Sequence, residues 1–167
     1  MHSLHQELLA RAAYHFSWNY ERIARCLAPL SEADIWRRPN SHSNAIGNQL
    51  LHLCGNITQY IISSLGQTPD LRERDAEFAA TDGLTKTELL ARLEQVTHAA
   101  LTVIEHTPES ELLRVRPVQA FEYSGTAIVL HATEHYSYHT GQIIFWTKQL
   151  LDRDMNMYGG VDLNARG

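Results

Sequence analysis

Three histidines carry the chemistry this chain can most readily support: His135 and His139, four residues apart in His135-Tyr136-Ser137-Tyr138-His139, and His52, far upstream. Residues at i and i+4 stand one above the other on a helix face. Two imidazoles at that spacing can therefore converge on a single ion, and a partner from another helix completes three protein ligands and leaves a coordination position open. The spacing alone equally describes two hydrogen-bonded histidines on a helix. His131 adds a further step to the ladder, but the three side chains then spread over about 11 to 12 Å of helical rise, too far to share one ion. His131 is read as a core residue or a neighbour of the site. Glu134 lies about 100° around the helix from His135 and reads as solvated. His2, His5, His15, His42, His98 and His106 read as facing solvent.

Other chemistries lack a starting residue. A carboxylate-bridged di-iron bundle needs Glu-x-x-His, which the chain does not contain. There is no HExxH, G-x-S-x-G or phosphate-binding Gly loop. Cys54 is two residues from His52, on a different helix face, so the two do not make a local nucleophile pair.

The elements that must position the histidines are helical. From about Ser3 to Leu27, Leu4, Leu8, Ala12, Phe16, Tyr20, Ile23 and Leu27 recur at steps of three and four, ending near Pro29. Ser31 with Asp34 resembles a cap for a short turn reaching Trp36, which Pro39 stops. Ile46, Leu50, Leu53, Ile57, Ile61 and Leu65 keep helical time until Gly66 and carry His52 at the edge of the apolar stripe, beside Gln49, Asn56 and Gln59. Residues 67–84 read as a long connection with a short helix near Asp75 to Ala80, and loops of this length are often functional. Thr85 and Glu88 form a capping box for a third long helix to Ile104. Another connection surrounds Pro117. The fourth helix runs from about Ser124 or Thr126 to Leu151, with Ile128, His131, His135, His139, Gln142 and Trp146 on one inward face. Four long helices of similar length predict an all-α fold, a four-helix bundle with long connections between helices. It forms one domain over 1–151, with 152–167 as its C-terminal tail.

Composition agrees with that reading. At 167 residues, 44% hydrophobic and 20% charged, the chain has the balance of a soluble globular domain. A net charge of −5 with no Lys/Arg cluster argues against nucleic acid as a partner. The N-terminal residues lack a signal-peptide pattern and no apolar run is long enough for a membrane span, so the expected location is cytoplasmic, without membrane association. Cys26 and Cys54 read as two half-buried thiols, with a single bridge left open.

The segment Asn44-Ala45-Ile46-Gly47-Asn48-Gln49-Leu50-Leu51-His52-Leu53, preceded by Trp36 and Pro39, together with His135-Tyr136-Ser137-Tyr138-His139-Thr140-Gly141-Gln142-Ile143, resembles the DinB/YfiT-like superfamily over essentially the whole chain. That family has a histidine midway along helix two and an HxxxH on the last long helix, which map onto His52, His135 and His139. The resemblance implies a bundle that binds a divalent metal ion, zinc or nickel, often as a homodimer. Its characterised relatives include transferases that use a low-molecular-weight thiol such as bacillithiol or mycothiol, a mycothiol-dependent maleylpyruvate isomerase among them.

The function expected from these residues is a metal-dependent thiol S-transferase or related hydrolase acting on a small electrophilic molecule. Three neutral imidazoles leave an ion its full charge, which acidifies a thiol or water in the open position. Gln49, Asn56, Tyr138 and Gln142 read equally as pocket-lining groups or as ordinary interhelical hydrogen bonding. The alternatives are a non-catalytic metal-binding or stress-response interaction bundle, and a bundle whose histidines bind nothing. Because ligating imidazoles must be deprotonated, ion affinity is expected to fall as the pH approaches about 6.5 and below. Retention unchanged at pH 5 would count against an imidazole-only site.

Overall fold

The computed structural model describes residues 3–166. Helix α1 (Leu4–Leu27) begins where the sequence supplies a capping box: the Ser3 hydroxyl accepts from the Gln6 amide, and the Gln6 side chain accepts from the Ser3 N–H. Ser31 and Asp34 repeat the device for α2 (Glu32–Trp36), and Thr85 and Glu88 do so for α5 (Lys86–His106) once α3 (Ile46–Ile57) and α4 (Arg74–Ala79) have passed. The short α6 (Glu109–Leu113) and a hairpin of β1 (Val115–Val118) and β2 (Phe121–Ser124) lead into α7 (Gly125–Leu151), whose first turn is capped by Ser124.

Four long rods make the bundle: α1, α3 with its continuation, α5 and α7. Helix α1 packs on α7 and α5, while α3 packs on α5 and α7, so α3 and α7 share a seam. Phe16, Ile23, Leu50, Leu53, Ile57, Leu93, Ile104, Ile128 and Ile143 fill the interior and are 0% exposed. Complete burial of such a side chain contributes about 1.5–3 kcal/mol. Tyr136 lies among them, its ring edge-on to Phe16 at 5.4 Å and its hydroxyl 3.1 Å from that of Thr97.

The all-α bundle and its capped boundaries agree with the sequence, and four details differ. The second rod is not regular throughout, because Thr58–Leu65 is π-helical and ends with Gly66 N–H donating to Ile61 O. Wider turns bring the consecutive residues Tyr60 and Ile61 both into the core. The connection around Pro117 is an antiparallel hairpin pairing Val115 with Ser124 and Val118 with Phe121. Its turn holds Gln119 at φ 55° instead of an Asn-Gly signal, and in a two-strand ladder Pro117 needs no donor on its open side. On α7 the core line runs through Ile128, Ala132, Tyr136, Ile143 and Thr147, so the histidines flank it: His139 is buried, His131 and His135 half-buried. Cys26 and Cys54 are free and fully buried, not half-buried. No helix among the described residues is long and apolar enough to cross a membrane.

Candidate metal centre

Helix α3 brings His52, and α7 brings His135 and His139, to one point on the seam between them. One ligand atom from each lies within 4.8 Å of the others. The ring centroids are 5.0 Å apart for His52 and His135, 5.0 Å for His52 and His139, and 4.6 Å for His135 and His139, with mutual tilts of 70°, 69° and 77°. They stand like blades around a common centre. His52 Nε2 and His135 Nε2 face each other at 2.9 Å. Among the described residues this is the group of His, Cys, Asp and Glu side chains arranged to hold a metal ion.

His52 is fixed from behind. Its Nδ1–H donates to Glu77 Oε2 at 2.9 Å, and Glu77 is gripped by Arg72, whose Nε and Nη2 donate to the two carboxylate oxygens at 2.7 and 2.8 Å. A carboxylate on Nδ1 places the proton there and leaves the Nε2 lone pair toward His135. Arg72 Nη1 continues to Gln59 Oε1 at 2.8 Å, and Gln59 Nε2 donates to Asp70 Oδ2 at 2.7 Å. Two further residues make this possible. The Asn48 side chain donates to Glu77 O and Ala80 O at 3.0 and 2.6 Å, pinning α4 to the start of α3. Gly55, one turn after His52, leaves the space the ion pair occupies: a Cβ there would land on Glu77 Oε1 and within 2.8 Å of Arg72 Nε.

Electrostatics keep the two α7 rings neutral. Burial, reinforced by the neighbouring His139, His52 and His131, pushes the His135 imidazole down to about 3. Burial and His52 push His139 down to about 4 against a hydrogen bond with Gln142. Burial alone would raise Glu77, but the hydrogen bonds from Arg72 and His52 hold it below the usual carboxylate range. Neutral imidazoles are the form a cation requires. At His135 and His139 proton competition therefore sets in below the ordinary imidazole range. The donor set fits a divalent ion on one further observation: His139 Nδ1 is buried with no hydrogen-bond partner, and the His52 lone pair faces another imidazole nitrogen. Nitrogen lone pairs brought together without donors are costly unless a cation or proton satisfies them.

His131 does not join the three. It stacks between Tyr60, at 4.2 Å and 25°, and His135, at 5.5 Å and 12°, so its ring is parallel to its neighbour rather than a fourth blade. Tyr60 is held in turn by its hydroxyl donating to Gln119 Oε1. Gln49 and Asn56, one turn either side of His52, are buried with unpartnered side-chain oxygens, whereas Tyr138 is 61% exposed beside His139. His42, His98 and His106 are exposed as expected. His5 is not simply solvated: its Nε2–H donates to Thr107 O at 2.8 Å, tying α1 to the end of α5. His15 is half-buried beside Trp18, and His2 lies outside the described residues. Sequence reasoning missed Glu77, Arg72 and Asn48.

A family model described as "Protein of unknown function (DUF1572)" matches residues 3–159. Among solved structures, a conserved protein from Enterococcus faecalis is similar at 14% identity with a TM-score of 0.71, covering 86% of this chain and 97% of that one. A DinB-like protein from Bacillus subtilis, YjoA, is similar at 14% identity and a TM-score of 0.63, covering 86% and 91%. A DinB-like protein from Bacillus cereus follows at 13% identity and 0.64, covering 80% and 87%. No curated protein matches. At such identities these structures establish a shared fold.

Proposed function

The chain belongs to the DUF1572 family and has a DinB-like fold, and from that premise we propose a metal-dependent enzyme in which His52, His135 and His139 hold a divalent ion, zinc or nickel. Its reaction is the transfer of a low-molecular-weight thiol, or of water, to a small electrophile. One observation carries the reading: three imidazoles from two helices meet with a buried carboxylate behind one of them. Imidazole donors suit both ions, and carboxylate-backed histidines are the usual way a protein fixes such ligands. When bound, the ion supplies Lewis acidity that brings a thiol or water toward its anionic form near neutral pH.

The chain's own residues do the rest. Glu77 holds the proton on His52 Nδ1, and Arg72 keeps Glu77 anionic in a site where burial favours its neutral form. The core flanking α7 keeps His135 and His139 unprotonated. Tyr138 and Gln142 adjoin His139 and would line the approach of the electrophile to a thiol or water held at the triad, whose S–H or O–H proton would leave as the new bond forms.

The test is elemental analysis of protein purified without a histidine tag, followed by a panel of bacterial thiols with a chromogenic electrophile. Stoichiometric metal and saturable turnover, both lost in His139→Ala, are expected. Metal without turnover would leave a binding bundle. Absence of stoichiometric metal, with no uptake of added zinc or nickel, would leave the triad as packed core histidines.

A further inference from the structure

The three imidazoles of the metal centre are not held alike. His52 has the Glu77 carboxylate on its Nδ1. His139 is buried and meets His52, His135 and Tyr138 edge-on, at 5.0, 4.6 and 5.2 Å between centroids. His135 is only half-buried, and its one close polar neighbour among the described residues is His52, at Nε2. The torsion that turns an imidazole about its Cβ–Cγ bond is soft, so a ligand with no hydrogen bond on its other nitrogen needs something else to aim its lone pair.

What His135 has is a stack of nearly parallel rings. Tyr138, three residues on, lies at 6.4 Å and 17°, but it is 61% exposed. His131, four residues before, lies at 5.5 Å and 12° and is itself covered by Tyr60 at 4.2 Å and 25°. Tyr60 cannot drift: it is 0% exposed and its hydroxyl donates to Gln119 Oε1 at 2.8 Å. Gln119 sits in the hairpin turn at φ 55°, a left-handed conformation that glycine adopts more readily, yet glycine has no side chain to reach Tyr60. Offset parallel rings attract at such separations. The His131 Nε2 is buried without a hydrogen-bond partner, so packing of its faces and not that nitrogen keeps the ring in place.

We propose that His131 is a positioning residue for the metal ligand His135: held against it by Tyr60, its flat face fixes the plane of the His135 ring, as Glu77 fixes that of His52. The proposal rests on the reading of His52, His135 and His139 as a metal centre. It assigns the extra step of the histidine ladder a role that needs a ring and not a ligating nitrogen, and it ties the hairpin to the centre through Gln119 and Tyr60.

The experiment compares the full-length protein with His131→Phe, which keeps a flat face without a nitrogen, and His131→Leu, which keeps apolar volume without the face. Zinc affinity is read by competition with a chromophoric chelator, ligand geometry by the visible spectrum of the cobalt(II) form, and His135 ring motion by carbon-13 NMR of the metal-free protein. His131→Phe is expected to bind zinc within threefold of wild type with the same cobalt spectrum. His131→Leu is expected to weaken zinc about tenfold or more, to alter the cobalt spectrum, and to broaden or double the His135 ring signals while helical circular dichroism is unchanged. Zinc affinity in His131→Leu within twofold of wild type, or lowered as far in His131→Phe as in His131→Leu, would overturn the proposal. The ring signals are read without metal, so a protein that takes up no zinc refutes the metal centre while they still report on the stack. One that binds zinc, with His135 signals as sharp in His131→Leu as in wild type, refutes the positioning role alone.

Discussion

Glu77→Gln is the sharpest perturbation of the site that leaves its shape intact. The carboxylate is 9% exposed and accepts three charge-assisted hydrogen bonds, at 2.7 and 2.8 Å from Arg72 and 2.9 Å from His52. An amide offers one acceptor oxygen, and its NH₂ meets an imidazole or guanidinium donor. Two losses follow. Arg72, 3% exposed, keeps a charge with no counter-ion, and breaking a buried pair from one side costs about 3–5 kcal/mol, a large part of a typical total of about 5–15 kcal/mol. His52 loses the partner that fixes its tautomer, which lowers metal affinity by about 10- to 100-fold, equivalent to about 1.4–2.7 kcal/mol. The double variant Arg72→Met, Glu77→Gln separates the two, since removing the orphaned guanidinium restores most of the folding stability while His52 still lacks a carboxylate. Urea titration of the metal-free proteins reads the first loss, and zinc competition against a chromophoric chelator reads the second. Zinc affinity within about twofold of wild type in both variants would show that Glu77 does not orient His52.

Further outcomes follow from the same geometry. Gly55→Ala, which in an ordinary helix interior would stabilise by about 1 kcal/mol, is expected to destabilise and to weaken zinc binding, because its Cβ displaces Glu77; a raised urea midpoint would contradict this. Zinc at 100 times its Kd should stabilise the wild type by about 2.7 kcal/mol and His139→Ala hardly at all, read as the shift in thermal midpoint with and without a chelator. In metal-free protein, His135 and His139 have folded pKa values of about 3 and about 4, below the value near 6.5 of an unfolded imidazole. The unfolded chain therefore takes up protons first as the pH falls. Stability is complete above about 6.5 and declines toward pH 4, by up to about 2 kcal/mol per histidine by pH 5. A midpoint unchanged between pH 7 and 5 in wild type, or an equal decline in a His135→Gln, His139→Gln variant, would contradict it.

Much of this was legible in the residues because helices announce themselves locally. The caps at Ser3, Ser31 and Thr85 and the apolar steps of three and four define the rods, and the four-residue spacing of His135 and His139 needs only a helix to become a pair. The backing of His52 was not legible, since a buried Glu77 and an exposed glutamate look alike in a charged, weakly periodic stretch. Gly55, one turn after His52, was the available hint that something packs closely there. The hydrogen bond of His5 to Thr107 joins residues 102 positions apart, which no local pattern encodes. Over the eight residues 58–65, a π-helical pitch and an α-helical pitch leave nearly the same apolar pattern. The histidine face was misjudged because it lies beside the core line of α7, where Tyr136 is the residue that turns fully inward.

The central claim is that three imidazoles from α3 and α7 share one cation. Anomalous diffraction at the zinc edge from crystals grown with stoichiometric zinc tests it directly. The account predicts one strong peak at about 2.0–2.1 Å from a nitrogen of each of His52, His135 and His139; a zinc-free triad, or a peak held by other residues, would contradict it.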